Sequence, residues 1–401
     1  MKTTALIISI LCCFLVKSQT VVEYNMKMWT SFAATMWDDT VITTWGFSEG
    51  SNYPPLPGPT LYANEGDTII VNIRNQSQPF HHTIHWHGLD VDQANDGVPQ
   101  LSFDLAHMDD STYTFVASHA GTYLYHCHVA SIVHVQMGMY GNVIIHAANG
   151  ENQAYTGGPS YTKEYNWLMS EIDKEWHDSV PLHHDKPKDS VYMEFHVPPY
   201  VPEYFLINGK SKQQLLNDNN TAIHCGADET IFLRLSNVGY FMNNIVFPSG
   251  VKAEIIMSDG RALPQSEYND SIVLTSGERY GVLLSFDGPI SDSIAVSYID
   301  ANSFGSATAI EYVPVNAVIN PSVRELPEYN IQVLNGAKGN YFIQGLTEPT
   351  PLKVFDINGK LITSKNINNL DNVNLSSFPN GFYFFQFETK QYFKTIKVHK
   401  L

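Results

Sequence analysis

The chain has 401 residues, with 40 acidic against 23 basic side chains and a formal net charge of −17 when histidine is neutral. That excess repels a phosphate backbone, so nucleic-acid binding has no support, and cations are favoured over anions as diffusing partners. The length predicts two or three domains.

In chain order, Met1 to about Gln19 joins a charged start at Lys2 to an apolar run from Ala5 to Val16, followed by Lys17-Ser18-Gln19. This reads as a secretory signal peptide, too short to span a membrane. No other stretch reaches a spanning length. Cys12 and Cys13 leave with residues 1–19, so Cys127 and Cys225 are the cysteines of the mature chain. Exported proteins commonly pair their cysteines. A bridge from Cys127 to Cys225 therefore stands against metal ligation by Cys127, which would leave Cys225 as an unpaired thiol.

After residue 19 come short runs rich in β-branched and aromatic residues, such as TIIVNIRN, GNVIIHA, TIFLRLSN, YGVLLSF and SIAVSYI. Gly, Pro, Asn and Asp turns separate them, and long amphipathic helical patterns are missing. The predicted class is all-β, made of sandwich or barrel modules. A first module runs over 20–148, a linker rich in Gly, Asn and Pro over 149–161, a second module over 162–319 and a third over 329–401.

The first module carries the chemistry. Gly121 to Gly141, GTYLYHCHVASIVHVQMGMYG, delivers His126, Cys127 and His128 in succession, then His134 and Met139. A thiolate, two imidazoles and a long axial thioether form a blue-copper ligand set, so this stretch lacks one imidazole. His82-Thr83-Ile84-His85-Trp86-His87 is its expected source. Alternation along a strand separates His126 and His128 from Cys127, and His85 and His87 from His82. One face can therefore gather His82 and Cys127 around one metal, while the other presents His85, His87, His126 and His128 to a second. Met137 reads as loop or core.

HTIHWHGL, then DGVPQ, then GTYLYHCH with HVQMGM, resembles the multicopper oxidases, including laccases and copper-efflux oxidases. The resemblance implies Greek-key cupredoxin domains with copper as cofactor, and PPLPGPTLYANEGDTIIVNI resembles the opening of one. It implies that His82, Cys127, His134 and Met139 bind a type 1 copper and that His85, His87, His126 and His128 belong to a type 2 and type 3 cluster reducing dioxygen. Asp96 in DGVPQ falls where the family has a proton-relaying carboxylate. An exposed His edge would admit the electron donor, a phenol or metal ion. The segment from Val129 to Val133 is longer than in laccases, an insertion expected to open the site or shift its exposure. Met139, in place of Leu or Phe, implies a modest reduction potential.

In the second module, FLINGKS, TIFLRLSNVGY, IIMSDGRAL and SGERYGVLLSF resemble a further cupredoxin domain. Where its own His-x-His would stand, the chain reads Asn243-Asn244-Ile245-Val246-Phe247, as in the copper-free middle domain of a laccase. The remaining histidines are His177, His183, His184, His196 and His224. EWHDSVPLHHDKP is either a metal-binding loop or a solvated surface segment. Two-domain relatives often form trimers, so a homo-oligomer sharing ligands is one expectation. Nitrite reductases, more distant relatives, typically have Asp at the position of His85.

In the third module the charge changes sign, with Lys338, Lys353, Lys360, Lys365, Lys390, Lys394, Lys397 and Lys400 prominent, and Asn358-Gly359 and Asn380-Gly381 predict turns. FDINGK, NLSSFPNGFYFF and KTIKVHK resemble the C-terminal sorting domain of the type IX secretion system of Bacteroidota, a small Ig-like β-sandwich. That implies export across the outer membrane, to the cell surface or the medium. Two function classes follow: a secreted multicopper oxidase-like enzyme, or a type 1 copper electron-transfer or copper-binding protein without oxygen reduction.

Overall fold

The structure is a computed structural model that describes residues 20–50, 52–148, 152–181, 197–303, 305–319, 331–336, 339–346, 348–388 and 393–400. The expected signal peptide and His183, His184 and His196 lie outside these residues. The chain divides into two compact units, residues 1–320 and 321–401. Among the described residues no helix is long and apolar enough to cross a membrane.

The first unit opens with eight strands: β1 (Val21–Thr35), β2 (Val41–Glu49), β3 (Leu61–Asn64), β4 (Thr68–Asn75), β5 (His85–His87), β6 (Asp110–Val116), β7 (Gly121–His126) and β8 (Tyr140–His146). They form two four-stranded sheets, ordered β2-β1-β4-β6 and β3-β8-β7-β5. β4 shows why: in TIIVNIRN every second side chain is buried, the pattern of a strand with one face in a core. The two inner faces enclose a cluster that includes Trp45, Phe47, Trp86, Tyr113, Tyr123 and Tyr125. A short helix, α1 (Ser131–Gln136), stands between β7 and β8, where the sequence reads as a loop.

The second half of this unit begins at β9 (Lys163–Ile172) and α2 (Lys174–Ser179). β9 lies in a six-stranded sheet between Tyr204–Ile207 and Ile231–Asn237, facing a five-stranded sheet across its own core. Contacts cross between the two halves, with Trp176 of α2 and Val180 just beyond it packed into the first core. Residues 20–319 are therefore two cores in one body.

The 321–401 unit has sheets of three and four strands around Tyr341, Leu352, Tyr383 and Phe385. Asn358-Gly359 turns between antiparallel strands Thr350–Asp356 and Leu361–Ile367, as its sequence predicts. Asn380-Gly381 instead opens Gly381–Glu388, which joins the four-stranded sheet, whereas the preceding Asn372–Asn374 belongs to the three-stranded one. That turn is a crossing between sheets.

A buried ion pair joins the two halves of the first unit. Arg234, 0 % exposed, pairs with Glu164 at 2.8 Å and donates to Thr122 Oγ1 at 3.1 Å. Tyr161 donates to Glu164 at 2.8 Å, and His146 Nε2 lies 3.3 Å from its other oxygen. Burial alone would push the Glu164 carboxyl up; Arg234 and His146 outweigh it and hold the group at about 2. A glutamate depressed in the folded state stabilises the fold fully above its ordinary value of 4.5, and that contribution is lost as pH falls through about 2. Glu164→Gln, which strands a buried guanidinium, is expected to lower the unfolding free energy by about 3 kcal/mol in chemical denaturation at neutral pH. The gap from the native chain should narrow below pH 4.5; a gap constant with pH would show that Glu164 is not the group responsible.

Candidate metal centre

Register places the histidines. β5 pairs antiparallel with β7 so that His85 faces His126, Trp86 faces Tyr125 and His87 faces Leu124. Trp86 and Tyr125 are buried on the core side, which turns His85, His87 and His126 to the other face. His82 precedes β5 and bridges to Leu105; buried Asn75 shapes that segment by donating to Phe80 O and Leu105 O, both at 2.8 Å. Cys127 and His128 follow the end of β7. The Cys127 amide donates to Met139 O at 3.1 Å, and the His128 amide donates to Thr83 Oγ1 at 3.1 Å.

His82, Cys127 and His134 form one group, fully buried. Cys127 Sγ lies 3.6 Å from His82 Nδ1 and 3.2 Å from His134 Nδ1, and the two nitrogens are 3.2 Å apart. Such a triangle fits a metal at bond lengths of about 2.0–2.3 Å from nitrogen and sulfur. Facing lone pairs repel one another, and a cation at their centre turns that repulsion into bonds. Burial lowers His134 to about 3 and raises the Cys127 thiol to about 11, so the imidazoles are neutral. Met139 is fully buried in the same core. Trp45 packs edge-on to both imidazoles, with ring centroids 5.1 Å from His134 and 5.9 Å from His82, and Phe80 lies 6.4 Å from each.

His85, His87 and His126 form the second group. His85 Nδ1 is 2.8 Å from Asp96 O and His126 Nδ1 is 3.0 Å from Cys127 O, anchors that leave both Nε2 atoms facing the group. Imidazoles tethered at one nitrogen by a carbonyl are the usual form of metal-binding histidine. His87 Nδ1 approaches His126 Nε2 at 3.3 Å. The His128 ring borders the group, 5.1 Å from His85 and 6.0 Å from His126. Burial is the main cause lowering His126 to about 3 and His87 to about 4, with the Arg279 guanidinium adding to the latter. Asp96 Oδ2 lies 3.6 Å from His85 Nδ1. Gly97 fixes that turn: its φ is +79°, and a Cβ there would sit 1.7 Å from Ile84 O.

The expectation of an exposed His edge at the sulfur-containing group fails. His82 and His134 are 0 % and 1 % exposed, with residues 131–136 folded as α1 and tied to the second module through Gln136 and Ile132. His177 is also outside the metal-loop alternative, being buried with its nitrogens directed at Thr43 O and Gln136 O. Cys127 and Cys225 are both free thiols and buried. Among the described residues, both groups draw on the first module alone. Against His87 the second module places Gly277, whose added Cβ would lie 3.0 Å from the imidazole, and Arg279 beside Gly88. Sequence reading missed Trp45 and Arg279, whose distance along the chain from the ligand motifs left no local signal, and Phe80, which stands two residues before His82 but reads as an ordinary core residue.

The multicopper oxidase family is matched by two profiles, over residues 52–150 and 172–311, and residues 335–400 match a secretion system C-terminal sorting domain. Copper resistance protein A of Escherichia coli is 38 % identical over 146 residues, covering 36 % of this chain and 22 % of that protein. An L-ascorbate oxidase of Cucumis sativus is 26 % identical over 290 residues, covering 65 % and 46 %. The chain thus spans less than half the length of these relatives. A blue copper oxidase from Nitrosomonas europaea superposes with a TM-score of 0.56 at 25 % identity, covering 74 % of this chain and 86 % of that one. The multicopper oxidase mgLAC superposes at 0.58 and 23 % identity, covering 77 % and 88 %, which shows the shared fold. With these matches spanning both halves of the 20–319 body, the chain belongs to the multicopper oxidase family, whose members bind copper, and it ends in a secretion sorting domain.

Proposed function

We propose that the chain is an exported copper oxidoreductase of the multicopper oxidase type. In this reading His82, Cys127, His134 and Met139 hold a type 1 copper, while His85, His87, His126 and His128 hold a type 2 and type 3 station. The observation that carries it is the unbroken run His126-Cys127-His128, in which the thiol of one group is joined through its own backbone to His126 of the other and to His128 bordering it. Bound copper would supply a one-electron couple at the thiolate and a centre at which dioxygen is reduced to water.

The chain's own residues set the conditions. Trp45 and Phe80 keep water from the sulfur and its two imidazoles, lowering the local dielectric. Asp96, about one fifth exposed, is placed to pass protons from solvent toward the His85 side. The donor is a small neutral phenol or a metal ion, in keeping with the acidic surface. It approaches over α1, where Ile132 is 65 % exposed two residues from buried His134. In this reading the ligands that complete a three-copper set come from a second copy in a homo-oligomer. The sorting domain hands the chain to type IX secretion machinery for release or surface attachment.

A second reading, a type 1 copper electron-transfer or copper-binding protein without oxygen reduction, is favoured by one observation. Among the described residues, Gly277 and Arg279 of the second module, and no imidazole from it, lie against His87.

Copper content and the visible spectrum of the purified protein separate these readings. About four coppers per chain with a thiolate-to-copper band supports the oxidase, and one with that band supports the carrier. Cys127→Ser is expected to abolish the band while copper at the second group persists; a band that survives would remove Cys127 from the centre. Met139→Leu is expected to raise the reduction potential, since the axial ligand tunes it. Voltammetry showing no change would count against Met139 as a ligand.

A further inference from the structure

α1 is a poor helix on its own terms. It has six residues, SIVHVQ, three of them β-branched, and its N-cap Ala130 has φ +43° and makes no side-chain cap bond. Yet this helix carries His134, and its C-terminal end leads within three residues to Met139. Something outside the helix has to hold it.

The second module supplies that hold at three points. Gln136, at the last position of α1, donates from Nε2 to Glu171 O of β9 at 3.1 Å. His177 of α2 sets Nε2 2.9 Å from Gln136 O and 3.4 Å from Gln136 Nε2. Its other nitrogen, Nδ1, lies 2.5 Å from Thr43 O of β2, two residues before Trp45. At the opposite end of α1 the Tyr240 hydroxyl donates to Ile132 O. Trp45 in turn binds the loop, its amide donating to Met137 O at 2.8 Å. Gly138, with φ +111°, lets the chain pass there, since a Cβ would lie 2.7 Å from Trp45 O. One buried imidazole thus spans both walls of the sulfur-containing group: the end of the ligand helix and the strand bearing its aromatic cover.

We propose that His177 is a positioning residue for the copper loop, and that the copper-free second module serves as the clamp fixing His134 and Met139 against Cys127. This rests on the reading that His82, Cys127, His134 and Met139 hold copper. His177 acts on the ligands through Gln136 and Thr43, its neighbours on the two walls. Burial keeps the ring neutral by lowering it from its ordinary value. The proton that it carries then serves one carbonyl, while the other nitrogen can accept from the Gln136 amide.

The test compares the full chain with His177→Leu, which keeps bulk and loses both polar contacts, and with His177→Gln, which can restore one. Tyr240→Phe, lacking only a hydroxyl, is the variant least disturbing to folding. The readouts are the thiolate-to-copper band, the copper hyperfine splitting and the reduction potential in the loaded protein, and amide hydrogen exchange over 131–139 in metal-free protein. The expected result is a changed band and hyperfine splitting in His177→Leu, partial recovery in His177→Gln, and a smaller change of the same kind in Tyr240→Phe. Exchange over 131–139 is expected to quicken by about tenfold in His177→Leu with the global unfolding midpoint less affected. Unchanged spectra, potential and exchange in folded variants would overturn the clamp while leaving the copper reading intact. A native chain that binds copper without a thiolate band would overturn the copper reading and this inference with it.

Discussion

The organisation of the site depends on where one strand stops. β7 ends at His126, still paired with His85, and the next two residues leave the ladder. In a continued strand Cys127 would simply point opposite to its neighbours. Released from the ladder, its amide reaches Met139 O while the His128 amide reaches Thr83, so the backbone is gripped from two sides. Of three consecutive side chains, the thiol joins the buried group, His126 joins the other, and His128 borders it. Both groups inherit their precision from the β5 and β7 register, since a one-residue slip would exchange the histidines for Trp86 and Tyr125.

The chemistry was legible because its residues cluster in two stretches whose parity sorts them. His82 with Cys127, and His85 with His87 and His126, can be grouped on paper by alternation alone, and the structure brings these side chains together. Alternating burial in TIIVNIRN and the charge reversal beyond residue 329 carried the fold in the same way. Other features rested on residues far apart in sequence. The stretch 131–136 reads as loop because SIVHVQ has weak helix propensity, and its contacts with β9 and α2 hold it as a helix. His177 resembled a surface metal loop because the composition of EWHDSVPLHHDKP says nothing of Thr43, 134 residues away. The buried pair of Arg234 and Glu164 was invisible for a related reason: each charge looks solvated until the other half of the body covers it.

The second module changes character in this light. Its sequence resembles a copper-free cupredoxin domain, and a structural spacer would be the minimal account. In the structure it contributes a fully buried guanidinium to the join and covers the helix that carries His134. It also puts Gly277 and Arg279 against His87. Glu171, His177, Arg234 and Arg279 of this module all make contacts with the first.

Burial of the sulfur and its two imidazoles also sets a time scale. With no ligand edge at the surface, whatever is held there can exchange only when α1 lifts away from β9 and α2. The frequency of such an opening falls exponentially with the strength of those contacts. If the group holds copper as proposed, it is a compartment sealed by folding, and its loading belongs to the maturation of the chain rather than to its working life.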